Sequence, residues 1–113
     1  MKWPKVFIIL VNWNGYKDTI ECINSLKKID YKNYKIILVD NGSKNNEAQR
    51  IKGKFSNIHL IQNKENLGFG KANNQGMRYA LDNNTDYVLL LNNDTVVKED
   101  FLSKLIDFSL KNK

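Results

Sequence analysis

The sequence predicts a three-layer α/β domain, a mostly parallel sheet of order 3-2-1-4 with helices on both faces. Two observations carry that reading. Short continuous apolar runs rich in β-branched residues recur along the chain, and helical stripes of apolar residues lie between them. Runs without polar alternation fit strands buried on both faces, as in a parallel sheet covered by helices. Their regular alternation implies right-handed crossovers within a single domain over residues 1–113, with no linker, repeat or low-complexity segment.

The elements follow in order. Val6–Val11 is the first run. Ile20, Ile23 and Leu26 then recur at i, i+3 and i+6, with Cys22 and Ile29 beside them, and Asp18 and Glu21 have capping-box spacing. Ile36–Val39 is the second run, and residues 44–54 read as a short polar helix carrying Ala48 and Ile51. Ile58–Ile61 is a weaker third run. Phe69, Ala72, Gly76, Tyr79 and Ala80 form a helical stripe, Tyr87–Leu91 a fourth run, and Phe101, Leu102, Leu105 and Ile106 a last stripe.

Composition narrows the functional classes. With 113 residues, 42% hydrophobic and 27% charged, the chain can bury one core and is not of disordered composition. A single cysteine excludes a disulfide scaffold and a multi-cysteine metal site, and suits a reducing compartment. The longest apolar run, Val6–Val11, is too short to span a membrane. Polar, bulky Asn12-Trp13-Asn14 follows it in place of a small-residue cleavage site, so no signal peptide is expected. The net charge of +6 comes from scattered lysines in a chain also rich in Asn and Ile. Compositional drift explains it better than an anionic partner, and no nucleic acid is expected.

In an open α/β sheet a ligand binds outside the carboxyl ends of the strands, near the reversal of strand order. The four ends read Asn12-Trp13-Asn14-Gly15, Asp40-Asn41-Gly42-Ser43, Asn63-Lys64-Glu65-Asn66-Leu67-Gly68 and Asn92-Asn93-Asp94-Thr95. These residue types also make ordinary turns and caps. The first turn lacks a Gly-x-Gly-x-x-Gly fingerprint and the chain lacks Gly-Lys-Ser/Thr, which argues against a dinucleotide turn and excludes a P-loop. Asp94 is the sharpest single residue: it suits a hard cation held by one carboxylate and substrate phosphates, the alternative being a cap for the segment from Lys98. Asp40 can accept a hydrogen bond from a ribose hydroxyl or a base N–H. Trp13 offers a stacking face for a base, and equally reads as a core or rim aromatic.

This set of motifs, with Asn66-Leu67-Gly68-Phe69 followed by Asn73-Asn74 and Gly76, resembles the family 2 glycosyltransferases of the GT-A fold. Within them it is most similar to the rhamnosyltransferase-like branch. The resemblance runs from Val6 to about Leu110. It implies that Val11, Asn12, Trp13 and Asn14 line the nucleotide, with Trp13 against the base and Asp40 hydrogen-bonded to it. It implies that the stretch containing Asn66, Gly68 and Asn74 shapes the ribose and sugar side of a donor pocket. Asn92-Asn93-Asp94 stands where the family has Asp-x-Asp, so Asp94 would be the ligand of Mg²⁺ or Mn²⁺, beside Asn92 and Asn93.

The chain departs from the family in two respects. Two of the three motif residues are amides, so metal affinity without donor is expected to be weak. The family's catalytic domain is also longer, and no residue here is assigned as catalytic: Glu99, Asp100 and Asp107 read as solvated or capping carboxylates. The expectation is therefore a truncated, donor-binding half of a transferase, inactive alone, with exposed apolar surface at the fourth strand and last helix and a tendency to self-associate. The function implied is transfer from a dTDP- or UDP-sugar to a glycan or lipid-linked acceptor in cell-surface polysaccharide synthesis. It would take place in the cytoplasm, at the inner face of a membrane through peripheral association. A non-catalytic nucleotide-binding module and a basic interaction domain are the competing readings. Cys22 is expected to be packed, His59 to be a lone edge-strand histidine, and the Lys-rich segment 27–35 to be a solvated loop at the end opposite the site.

Overall fold

In the computed structural model, which describes residues 3–112, the apolar runs become β1 (Val6–Asn12), β2 (Tyr34–Asn41), β3 (His59–Asn63) and β4 (Tyr87–Leu90). The remaining residues of the expected 1–113 span lie outside the described residues. The helices are α1 (Tyr16–Leu26), α2 (Glu47–Lys54), α3 (Phe69–Asp82) and α4 (Phe101–Lys111). All strand pairs are parallel and the order is β3-β2-β1-β4, as the sequence predicts.

Side-chain alternation sorts the core into two layers. Val6, Ile8 and Leu10 of β1 and Ile36 and Leu38 of β2 face α1, α2 and α4, where Cys22, Ile23, Leu26, Ile51, Leu102 and Ile106 are buried. Phe7, Ile9, Ile37 and Val39 face α3, against Ala72 and Ala80. α3 lies close because Gly76 meets β1: a Cβ there would stand 2.7 Å from Cγ2 of Ile9.

Several expected details are corrected. Strands β1 and β2 run on through Asn12, Asp40 and Asn41, which are strand residues and not turns after strands. β3 begins at His59, one residue beyond the expected run, and continues to Asn63. α1 starts at Tyr16, with Gly15 as N-cap and no side-chain cap, so the Asp18–Glu21 capping box does not form. Its buried stripe is Thr19, Cys22, Ile23 and Leu26, with Thr19 in place of Ile20. α2 begins at Glu47, because Asn45 and Asn46 adopt left-handed backbone (φ 59° and 58°). Phe69 opens α3 exposed to solvent, since it lies in the first turn beyond the sheet edge.

At the opposite end of the sheet the lysines of segment 27–35 are exposed, but Tyr31 is buried. Its hydroxyl donates to the carbonyl of Pro4 and its ring meets Trp3 edge-on. His59, on the edge strand, stacks on Tyr79 with ring centres 3.7 Å apart, and burial together with Lys52 holds its pKa below the usual value. Exposed apolar residues gather at β4 and α4, among them Leu90, Leu105 and Phe108. No helix among the described residues is long and apolar enough to cross a membrane.

Candidate functional site

The two last residues of β2 divide the carboxyl edge of the sheet between its faces. Asp40 continues the Ile36–Leu38 face towards α1 and α2, whereas Asn41 continues the Ile37–Val39 face towards α3. Each heads its own hydrogen-bond network.

On the first face Asn12 is the hub. Asn12 and Thr19 are 0% exposed and Asp40 is 1% exposed. Asn12 Nδ2 donates to Asp40 Oδ1 at 2.9 Å and Glu47 Oε1 at 3.1 Å, with Ser43 Oγ also at 3.1 Å. Its Oδ1 accepts the Thr19 hydroxyl at 2.6 Å. Carboxylates accept only, so they fix which end of the amide faces them. Thr19 Oγ1 in turn accepts from Asn93 Nδ2 at 3.0 Å. Ser43 N–H donates to Asp40 Oδ2 at 3.0 Å, and Asn14 N–H donates to Ser43 Oγ at 2.8 Å. Asn14 adopts φ 52° and accepts Lys44 N–H at 2.8 Å, which ties the first two strand ends together.

On the second face the Asn41 amide uses its full bonding capacity. Nδ2 donates to Asn66 Oδ1 (2.9 Å) and to the Gly68 carbonyl (3.2 Å), while Oδ1 accepts Asn63 Nδ2 (3.2 Å) and Leu67 N–H (3.0 Å). Asn63 and Gln75 exchange two further bonds, which join β3 to α3. Asn66 and Gly68 are exposed residues of a loop held in place largely by one buried side chain.

That loop is also pressed against Gly42. The φ of Gly42 is +79°, and a Cβ there would stand 2.6 Å from the backbone of Glu65. Gly42→Ala is therefore expected to cost about 1–3 kcal/mol and to release the loop, read as lost exchange protection at Leu67 N–H. Gly53→Ala supplies the contrast. Gly53 lies in the last turn of α2 with nothing within 4 Å of a Cβ, and stability should rise by about 0.4–1 kcal/mol.

The fourth strand end is more open. Asn92 and Asp94 are exposed and Asn93 is half-buried. Cys22 lies beneath this tripeptide, its thiol 3.9 Å from the Asn92 carbonyl. Burial pushes the thiol up to about 11, and the Asp94 charge adds to that, so Cys22 is a packed thiol and not a nucleophile. Among the described residues no group of three His, Cys, Asp or Glu converges to hold a metal. One exposed carboxylate flanked by amide oxygens fits a hard cation only where phosphate and water complete the shell.

The expected site residues thus come together unevenly. Asn12, Asn14, Asp40, Asn66, Gly68 and Asn93 belong to the two networks. Trp13 is 56% exposed beside them, a rim aromatic and not a core one. Val11 packs on the α3 side of the sheet. Asn74 is exposed on the flank of α3 with Met77, Arg78 and Leu81, and joins neither network; its neighbours Asn73 (buried) and Gln75 face inward instead. Asp40 differs most from expectation: both of its oxygens are engaged and it is enclosed, so in this structure it anchors the site and presents no face to a base. Sequence reasoning missed Thr19, Asn41, Ser43 and Glu47 as members of the networks. Continuing the period of two through Asp40 and Asn41 finds the faces, and the 19-22-23-26 spacing finds Thr19.

The family model for glycosyl transferase family 2 matches residues 7–113. The chain belongs to this family. Among family 2 relatives, the dTDP-rhamnosyl transferase RfbF of Shigella flexneri is 26% identical over 101 residues, covering 88% of this chain and 33% of that protein. S. aureus TarS 1-349 in complex with UDP-GlcNAc superposes with a TM-score of 0.79 at 25% identity, over 92% of this chain and 30% of that one. The mannosyltransferase PcManGT from Pyrobaculum calidifontis, in complex with GDP-Man and Mn²⁺, has a TM-score of 0.80 at 19% identity, over 94% of this chain and 32% of that one, and shares its fold. The GT-A fold expected of a family 2 chain is thereby borne out. The chain spans between about a fifth and a third of the length of the curated relatives it matches.

Proposed function

We propose that this chain is the donor-binding part of a glycosyltransferase that moves a sugar from a nucleoside diphosphate sugar to a glycan or lipid-linked acceptor. The observation that carries the reading is the convergence of all four strand ends on one edge of the sheet, three of them joined by hydrogen bonds that run from half-buried Asn93 through buried Thr19 and Asn12 to Asp40. Family membership and the UDP-GlcNAc complex of TarS support it.

In this reading the exposed ring of Trp13 takes the base. Asn12 and Asn14 hold the turns that frame it, and the 66–68 loop lines the sugar side. Asn92 and Asn93 border the diphosphate, and Asp94 holds Mg²⁺ or Mn²⁺. Asn74 belongs to the pocket only at its rim, given its place on the flank of α3. When bound, such a cation supplies Lewis-acid stabilisation of the charge that develops on the leaving diphosphate. The protein's own groups orient that diphosphate, and positioning is itself a large part of such rate enhancements.

The donor nucleotide follows from a calorimetric panel of UDP, dTDP and GDP, each with and without Mn²⁺. The expected result is binding of UDP or dTDP that strengthens with Mn²⁺. Failure of all three nucleotides to bind under either condition overturns the donor-site reading.

A further inference from the structure

Thr19 is a fully buried polar side chain on the core face of α1, where the apolar stripe would favour Val or Ile. A hydroxyl in such a place is costly unless it is bonded. Here it is bonded twice, and the directions are set. Its one hydrogen goes to Asn12 Oδ1 at 2.6 Å, so it can only accept from Asn93 Nδ2, at 3.0 Å. Asn12 Nδ2 then donates onward to Asp40 Oδ1 at 2.9 Å. Every bond in the chain from Asn93 to Asp40 points the same way and ends on a carboxylate, an arrangement in which each bond polarises the next.

The N-cap of α1, Gly15, lies close against the Asn93 amide. A Cβ at Gly15 would stand 2.9 Å from Asn93 Nδ2 and 3.5 Å from Asn12 Oδ1. With Nδ2 committed to Thr19, the amide oxygen is the end of Asn93 left to serve, beside the Asp94 carboxylate, as a hard oxygen donor. Losing the Thr19 hydroxyl would free the amide to turn its N–H₂ end outward, which no cation accepts.

We infer that Thr19 is a positioning residue. It touches neither nucleotide nor metal, yet it sets the Asn93 amide and so couples the Asn92–Asp94 tripeptide to the base of the pocket at β2. This inference rests on the donor-site reading.

The test is calorimetric titration of the whole chain with UDP, once with Mn²⁺ and once with EDTA. Thr19→Val, which keeps the shape and removes the hydroxyl, should weaken Mn²⁺-dependent UDP affinity by about five- to tenfold. It should leave metal-free UDP affinity within about twofold. Thr19→Ser should restore the metal-dependent affinity. A general loss of packing would lower both affinities together and would not be rescued by serine. Thr19→Ala repeats the test without a methyl against Asn12 and Asn93 should the valine variant fail to fold. Unchanged Mn²⁺-dependent affinity in the folded variant, or equal losses with and without metal, overturns the positioning role alone. A wild-type chain that binds no UDP overturns the donor-site reading, and this role with it.

Discussion

Asp94→Asn is expected to abolish the metal-dependent part of nucleoside diphosphate binding and to leave the fold intact. Asp94 is the sole carboxylate of its tripeptide and is exposed. Nothing in the core depends on it, and exchange of an exposed carboxylate for its amide preserves shape. On the proposed donor-site reading, a bound cation would lose its one anionic protein ligand. Changes to partners that merely support metal ligands already cost about 10–100-fold in affinity, so loss of the ligand itself should reach about 100-fold or more. Calorimetry with UDP and Mn²⁺ reads this directly, and a melting curve reads the fold. Equal Mn²⁺-dependent affinity in wild type and variant would remove Asp94 from the metal.

Asn12→Leu is expected to act on stability first. Asn12 Nδ2 is a donor shared by Asp40 and Glu47, both buried. The ion pairs among the described residues are Lys104–Asp100 and Lys111–Asp107 of α4, so neither buried carboxylate has a cationic partner to fall back on. Arg50, one turn along α2 from Glu47, lies instead over the Tyr16 ring. The leucine leaves Glu47 without its donor, Asp40 with only Ser43 N–H, and the Thr19 hydroxyl without its acceptor. Stranding buried groups of this kind costs about 3 kcal/mol or more when charge is involved. Against a typical domain stability of about 5–15 kcal/mol, that is a large shift in the midpoint of urea unfolding. Asn14→Gly, which removes one exposed acceptor and tolerates the left-handed backbone at φ 52°, should shift the midpoint far less. Equal midpoints for the two variants would contradict the assignment of Asn12 as hub.

The contrast between these residues explains what the sequence made legible. The sheet order could be read because buried strands leave runs of Ile, Leu and Val that nothing else in a chain this size requires. The strand ends were harder, because Asn and Asp are the residues of turns as well as of buried polar networks. Asn12, Asp40 and Asn41 look like punctuation after a strand, yet they are its last paired residues, with Asn12 opposite Asp40 and Asn41 opposite Asn63. The Asp40 carboxylate, expected to face a base, is here turned inward by hydrogen bonds from Asn12 Nδ2 and Ser43 N–H. Thr19 was hidden because a hydrophobicity count passes over a threonine and takes Ile20 in its place. Glu47 was hidden because two left-handed asparagines delay the start of α2 and turn a mid-helix glutamate into a first-turn residue beside Asn12.

The proposed nucleotide site lies at the carboxyl edge of the sheet, on two amide networks centred on buried Asn12 and Asn41. Amide chemical-shift mapping with UDP tests it most directly, first with Mg²⁺, then with trace Mn²⁺ as a paramagnetic probe. UDP should shift Trp13, Asn14, Ser43, Leu67 and Gly68, and Mn²⁺ should broaden signals centred on Asn93, Asp94 and Thr95. Shifts confined to the lysine-rich end of the sheet around residues 27–35, or broadening centred away from Asp94, would contradict it.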